Sequence, residues 1–221
     1  DWLAVEFRES GGSLKNLHRL ILNSAVYKQV SAHDEQQHAR DDSNRFLWRQ
    51  NRRRIEAEAL RDTVLLVSGK LDRRMGGASF KDFVIEQPQH SPHYQYHKAN
   101  HDDPTTHRRS IYRFIIRSQP HPFMDTLDCA DPSQLVDKRG ETTTALQALA
   151  LLNNAFMVRM AEHFASHVEK EADPIARAVE LSLSRQPTAE EHILLKSFAG
   201  KHGLSAMCRI LFNFSEFSFV D

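Results

Sequence analysis

Residues 142–168, TTTALQALALLNNAFMVRMAEHFASHV, constrain the fold more than any other stretch. Apolar side chains recur at Leu146, Leu149, Ala150, Phe156, Met157, Met160, Phe164 and Val168. Steps of three and four put them on one helix face. Between Ala145 and Leu152 only Gln147 is polar, and a helix apolar on every side is a buried one. The stretch predicts a central buried helix against which shorter elements pack.

A chain of 221 residues is one large domain or two small ones. The reading here is a single helical domain over 1–221, with 70–108 as a long loop insertion. The 29 basic residues balance the 29 acidic ones, so no global field draws the chain to nucleic acid or to an anionic membrane. No apolar run reaches the roughly 18 residues of a membrane span. The first residue is Asp1 rather than Met, and the expectation is a segment of something longer. Cys129 and Cys208 form neither CxxC nor CxxCH, which excludes covalent haem attachment and a four-cysteine zinc site on this segment. Cys208, among Met207, Ile210 and Leu211, reads as a core residue.

Local signals place the other helices. Trp2, Leu3, Val5 and Phe7 make a short helix closed by Gly11 and Gly12. Ser13 can cap the next, whose stripe is Leu14, Leu17, Leu20 and Ile21, with His18 at its edge. Residues 30–43 read as a loop and 44–48 as the opening of another helix. Residues 52–67 read as a strong helix with Ile55, Ala59, Leu60, Thr63, Leu66 and Val67 inward. Asp173 caps a helix that begins with Pro174. Thr188 and Glu191 form a capping box, and Gly203 starts the last helix. Phe212, Phe214, Phe217 and Phe219 crowd the C-terminus, and such a cluster is expected to dock on the core or a partner domain. In the irregular part, 80–85 and 110–117 are strand candidates that can pair as an antiparallel ribbon. The fold class that results is mostly α: a multi-helix domain around the buried helix, with a small antiparallel β element and one long irregular insertion.

Three constellations carry charge or ligand chemistry. On the helix of 52–67, Arg52 faces Glu56, Arg54 faces Glu58, and Glu58 reaches Arg61, at the i,i+4 and i,i+3 spacings of ion pairs. These carboxylates neutralise the basic run, so a structural ion-pair face is expected rather than a nucleic-acid contact. The second is HSPHYQYHKANHDDPTTH, in which His93, His97 and His101 recur every four residues and Asp102 and Asp103 add oxygen donors. Imidazole with carboxylate suits a divalent metal, so His93, His97, His101 and Asp102 are the candidate metal ligands. A polar surface loop, a metal or haem-edge contact, and an acid/base role for one histidine are all readings of this stretch. The third is the acidic turn of Asp125, Asp128, Asp131 and Asp137, which Arg108 and Arg109 are expected to pin.

Four stretches carry a family resemblance: DWLAVEFRESGGSLKNLHRLILNSAVYKQ, NRRRIEAEALRDTVLLVSGKLDRRMGG, HRRSIYRFIIRSQPHPFMDTLDCADPS, and TTTALQALALLNNAF with the closing LFNFSEFSFVD. In that order they resemble the C-terminal domain of unknown function of planctomycete-type cytochrome c-associated proteins. Departures include Gly12 where tryptophan is common, Ala145 where proline is common, and Val136–Asp137 where a cysteine is common. The resemblance implies an exported, periplasmic parent protein with N-terminal domains, one of them haem-bearing, as the partners of this segment. It implies no mechanism and no catalytic residues.

The leading expectation is therefore a non-catalytic structural or docking domain, with no cofactor of its own, no nucleic acid and no membrane span. The rival is an enzyme or metal-binding domain, polysaccharide-directed or redox. It needs His93, His97, Asp102 and Asp125 to converge in one pocket.

Overall fold

The computed structural model describes residues 1–87, 91–135 and 137–220. Pro88 and His90 of the irregular stretch, and Val136, lie outside them. The described residues are mostly α-helical, with two small two-stranded sheets among them: β1 (Arg53–Arg54) with β4 (Phe219–Val220), and β2 (Val84–Glu86) with β3 (His93–Gln95). Backbone contacts gather it into two compact units, one of residues 1–53 with the last strand, the other of 54–218.

The smaller unit holds α1 (Trp2–Glu9), α2 (Leu14–Leu22) and α3 (Glu35–Arg40). Ser13 caps α2 by accepting from the Asn16 N–H, as its position predicts. Helices α1 and α2 pack on each other yet contain no buried residue. His18 is exposed rather than packed at a core edge. Residues 44–48 are a tight loop, not a helix. The Asp41 carboxylate accepts from the N–H groups of Arg45 (2.9 Å) and Phe46 (2.7 Å), while Asn44 donates to the Arg49 carbonyl (2.8 Å). Side chains that capture backbone groups in this way displace the helical ladder. The same bonds, that from Phe46 foremost, hold the Asp41 carboxyl below its usual range.

The larger unit packs α4 (Ala57–Val67), α8 (Pro174–Leu183) and α10 (Leu204–Leu211) against α7 (Ala155–Val168), with α9 (Ala189–His202) lying on α8 and α10. Met157, Met160, Phe164 and Val168 of α7 have no exposed surface. Each such side chain contributes roughly 1.5–3 kcal/mol by leaving water. The Phe164 and Phe212 rings stack at 5.6 Å, and Phe212 meets Phe217 at 5.1 Å, so the C-terminal aromatics dock on the core as their density predicts. Asp173 caps α8, and Thr188 with Glu191 closes a capping box on α9. Both cysteines are free thiols. Burial pushes Cys208 up to about 12, and burial with the neighbouring Glu58 pushes Cys129 up to about 11.

Two expectations are corrected here. The single buried rod is two helices, α6 (Ala145–Asn153) and α7, broken at Asn154, whose extended backbone (φ −62°, ψ 138°) ends one helix and whose side chain caps the next. Only the second helix is enclosed. In α6 the leucines Leu146 (70% exposed) and Leu149 (53%) face water, whereas the polar Gln147 is buried. Gln147 is drawn inward by bonds, donating to Asp128 Oδ2 (3.1 Å) and Thr142 Oγ1 (2.9 Å).

The second correction concerns 52–67. The helix begins at Ala57, because Arg53–Arg54 are extended and the Ile55 N–H donates to the Ser218 carbonyl (2.8 Å). The i,i+4 pairs of Arg52 with Glu56 and Arg54 with Glu58 therefore lack their helix. Arg54 bonds Asp128 instead, Glu58 accepts from Arg139 (2.6 Å), and Arg61 is buried elsewhere. The inward face is Ala57, Leu60, Arg61, Val64, Leu65 and Val67, with Leu66 half exposed.

Candidate functional site

The region 70–108 is not structureless. Strands β2 and β3 pair antiparallel, with Val84 opposite Gln95 and Glu86 opposite His93. Three 3₁₀ turns follow, at Tyr96–Lys98, Pro104–His107 and Ser110–Tyr112. The ribbon expected between 80–85 and 110–117 is reduced to one parallel bridge, Phe80 to Arg113. Here Phe80 N–H donates to the Tyr112 carbonyl (3.0 Å) and Phe114 N–H to the Phe80 carbonyl (2.8 Å).

These segments, with α4, α5 (Pro122–Thr126) and the start of α7, enclose a cavity of about 420 Å³. Its size falls in the range of small-molecule sites. Asp82 and His121 line it, and Arg113 lies behind them. Arg113 Nε donates to Asp82 Oδ2 at 2.9 Å, with side-chain exposures of only 7% and 12%. Asp82 Oδ1 is equally buried and meets no donor among the described residues. His121 Nε2 stands 3.6 Å from Asp82 Oδ2, and His121 Nδ1 accepts from the Met124 N–H at 3.4 Å, capping α5. Burial outweighs the nearby carboxylate and pulls the His121 ring down to about 4. The ring is therefore neutral at pH 7, with its proton on Nε2 and its Nδ1 lone pair engaged. It offers no free lone pair to a metal or a substrate proton.

Arg61 forms part of the wall. Its guanidinium lies 5.1 Å over Phe80 and 5.4 Å over Phe156, and donates to the carbonyls of Thr106 (2.6 Å) and Arg108 (3.1 Å) and to Ser110 Oγ (3.3 Å). Burial lowers it to about 10, still charged at neutral pH. Tyr96 meets His121 at 4.6 Å and donates its hydroxyl to the Gln119 carbonyl (2.9 Å). His101 sits edge-on to Phe156, and burial with Arg61 nearby holds it below the usual histidine range.

Of the candidate metal ligands, His97 and His101 line this cavity. His93 is exposed on β3. Asp102 bonds Arg159 Nε and His163 Nε2, both at 2.7 Å, outside the cavity lining. Among the described residues no group of three or more His, Cys, Asp or Glu is placed to hold a metal ion. Asp125 lines a smaller cavity of about 140 Å³. The four residues of the enzyme reading are thus not brought together. Nor do Arg108 and Arg109 pin the acidic turn: Arg108 donates to the Ala78 carbonyl (2.7 Å), and Arg109 approaches Asp62 (3.8 Å). Asp128 is held by Arg54, Thr142 and Gln147.

Sequence reasoning missed Asp82, Arg113 and His121. A signal existed for each: Arg113 in YRFII is a lone charge inside an apolar run, Asp82 stands with Lys81 between Phe80 and Phe83, and His121 is bracketed by Pro120 and Pro122. A charge among apolar neighbours is buried only with a partner, and Asp82 and Arg113 are partners of one another.

The described residues make a mostly helical fold with a cavity of small-molecule size beside Asp82 and His121, and no helix among them is long and apolar enough to cross a membrane. Residues 1–199 match PSD1, a protein of unknown function (DUF1553), and the chain belongs to that family. No curated protein and no solved structure matches it.

Proposed function

We propose that this chain is a non-catalytic docking domain of a larger, exported, periplasmic protein, receiving an N-terminal, haem-bearing domain of that protein. One observation supports the reading above others. Helices α1 and α2 present Trp2 (62% exposed), Leu14 (61%), Leu22 (48%) and Leu3 (43%) to solvent while burying nothing. Large apolar side chains left exposed on a helix pair that buries none are the kind of surface that a partner covers. The resemblance to cytochrome c-associated proteins supplies the identity of the occupant.

The test is binding of a separately produced haem-bearing domain, followed by calorimetry. Leu14→Glu with Leu22→Glu is expected to weaken it by tenfold or more, roughly the loss of one well-buried anchor. Equal affinity in variant and wild type, or no binding by either, rules the reading out.

A further inference from the structure

The segment 70–81, KLDRRMGGASFK, sets Lys70, Arg73, Arg74 and Lys81 against Asp72 alone. Gly76 and Gly77 take positive φ (+74° and +84°), which glycine adopts without strain, and turn the run on itself. Arg108 holds the turned backbone by donating to the carbonyls of Ala78 (2.7 Å), Gly76 and Arg74 (3.5 Å). These acceptors are all neutral. The Arg108 side chain belongs to a residue only 8% exposed, and no carboxylate among the described residues pairs with it. A buried charge without a counterion is costly, and an anion nearby lowers that cost.

The geometry points to an anion site in the open cleft beside this turn: a phosphate or sulfate monoester sets its tetrahedral oxyanion among Arg74, Ser79, Lys81 and Thr105. The cleft measures about 410 Å³, and Ala78, Phe80 and Arg108 complete its lining, with no acid among the described residues that form it. Arg74, Ser79, Lys81 and Thr105 are exposed, so a guest reaches them directly, whereas Arg108 acts through its charge. Two acids lie behind the lining. Asp72 is held by Arg74 Nε and Nη2, both at 2.7 Å, and its charge also reaches Arg108. Asp103 accepts from the Thr105 N–H (2.9 Å) and lines the other cavity. Three lining cations outnumber these two acids, and the local balance stays positive.

A cation meets no carboxylate in this lining, and a neutral guest leaves its charges unanswered. Among anions, a planar carboxylate offers two oxygens. A monoester offers three, spread in space to match an ammonium, a guanidinium edge and two hydroxyls approaching from different sides. Arg74 spends Nε and Nη2 on Asp72 and keeps Nη1 for the guest.

The experiment titrates the whole chain with phenyl phosphate and phenyl sulfate, and with benzoate, phenol and benzylamine as controls. Calorimetry gives the affinity, and the amide resonances of Ser79, Lys81 and Thr105 locate the guest. Saturable shifts at these amides are expected with at least one ester, and the ester that binds more tightly identifies phosphate or sulfate as the source. Benzoate is expected to bind about tenfold more weakly or worse, and phenol and benzylamine not at all. Arg74→Gln with Lys81→Gln removes two exposed cations and is expected to weaken the ester by roughly tenfold or more. Ser79→Asp keeps every cation but puts a negative charge in the lining, and is expected to abolish the shifts. Circular dichroism checks that each variant folds, and Lys196→Gln on α9 is expected to bind as the wild type does. No saturable shift with either ester, a control that binds as tightly, or undiminished binding by Ser79→Asp or by the double variant would each overturn the assignment. So would a loss in Lys196→Gln equal to that in the double variant. The docking face shares no residue with this cleft, so its test can fail without touching these outcomes.

Discussion

The Ser68 hydroxyl donates to the Met160 carbonyl across 3.0 Å, tying the end of α4 to the middle of α7. One residue earlier, the Val67 carbonyl accepts from His167 Nδ1 at 2.9 Å. One residue later, Gly69 turns the chain with φ +69°, and a Cβ there would stand 3.1 Å from His167 Nδ1. Gly69→Ala is therefore both strained and crowded. It is expected to cost about 1–3 kcal/mol, read from the midpoint of urea unfolding. An unchanged midpoint would mean that this seam yields easily.

The Asp82–Arg113 pair predicts strong non-additivity. Arg113→Met leaves a buried carboxylate without its cation, at a cost of about 3–5 kcal/mol. Asp82→Leu with Arg113→Met removes both charges and is expected to be less damaging than either single change. A double-mutant cycle by denaturant titration measures the coupling.

Stability is expected to fall on mild acidification. His121 is pulled down to about 4 in the folded chain, against an ordinary 6.5. The unfolded chain therefore binds the extra proton between about pH 6.5 and pH 4, and folding stability declines across that window as pH falls. The loss attributable to this ring is on the order of 3 kcal/mol. His101 and His107 are lowered too, chiefly by burial, and act in the same direction. His121→Asn, which can still cap α5, should flatten the profile of unfolding free energy against pH over that interval.

The broken rod separates two substitutions that sequence alone would rank together. Leu146→Gln removes a 70% exposed side chain and is expected to change stability by no more than about 0.5 kcal/mol. Met157→Ala empties a fully enclosed position and is expected to cost about 2–5 kcal/mol. Thermal unfolding of the two variants side by side checks the contrast.

Much of the helical framework was legible because its signals are local. Ser13, Asp173 before Pro174, the Thr188–Glu191 box and Gly203 each act within one helical turn, and each stands where its spacing put it. What failed depended on distant partners. Leu146 and Leu149 look like core residues, yet hydropathy reports only what a side chain tolerates. The polar bonds from Asp128 and Thr142 turned Gln147 inward instead. Arg54 and Glu58 have ideal helical spacing, but β1 and the Ile55–Ser218 bond stop the helix short of Arg54. The cavity was half visible. His97 and His101 stood out as residue types, while Arg61, Asp82, Arg113 and His121 come from four separate segments, and their convergence is a property of the tertiary fold.

Both native sulfhydryls are held far from the thiolate form that reacts with maleimides and iodoacetamides. A cysteine engineered at an open position such as Met75, which is 83% exposed, would outpace them by a wide margin. Spin or fluorescent labels can therefore be placed site-selectively on the otherwise native sequence, without first deleting Cys129 or Cys208.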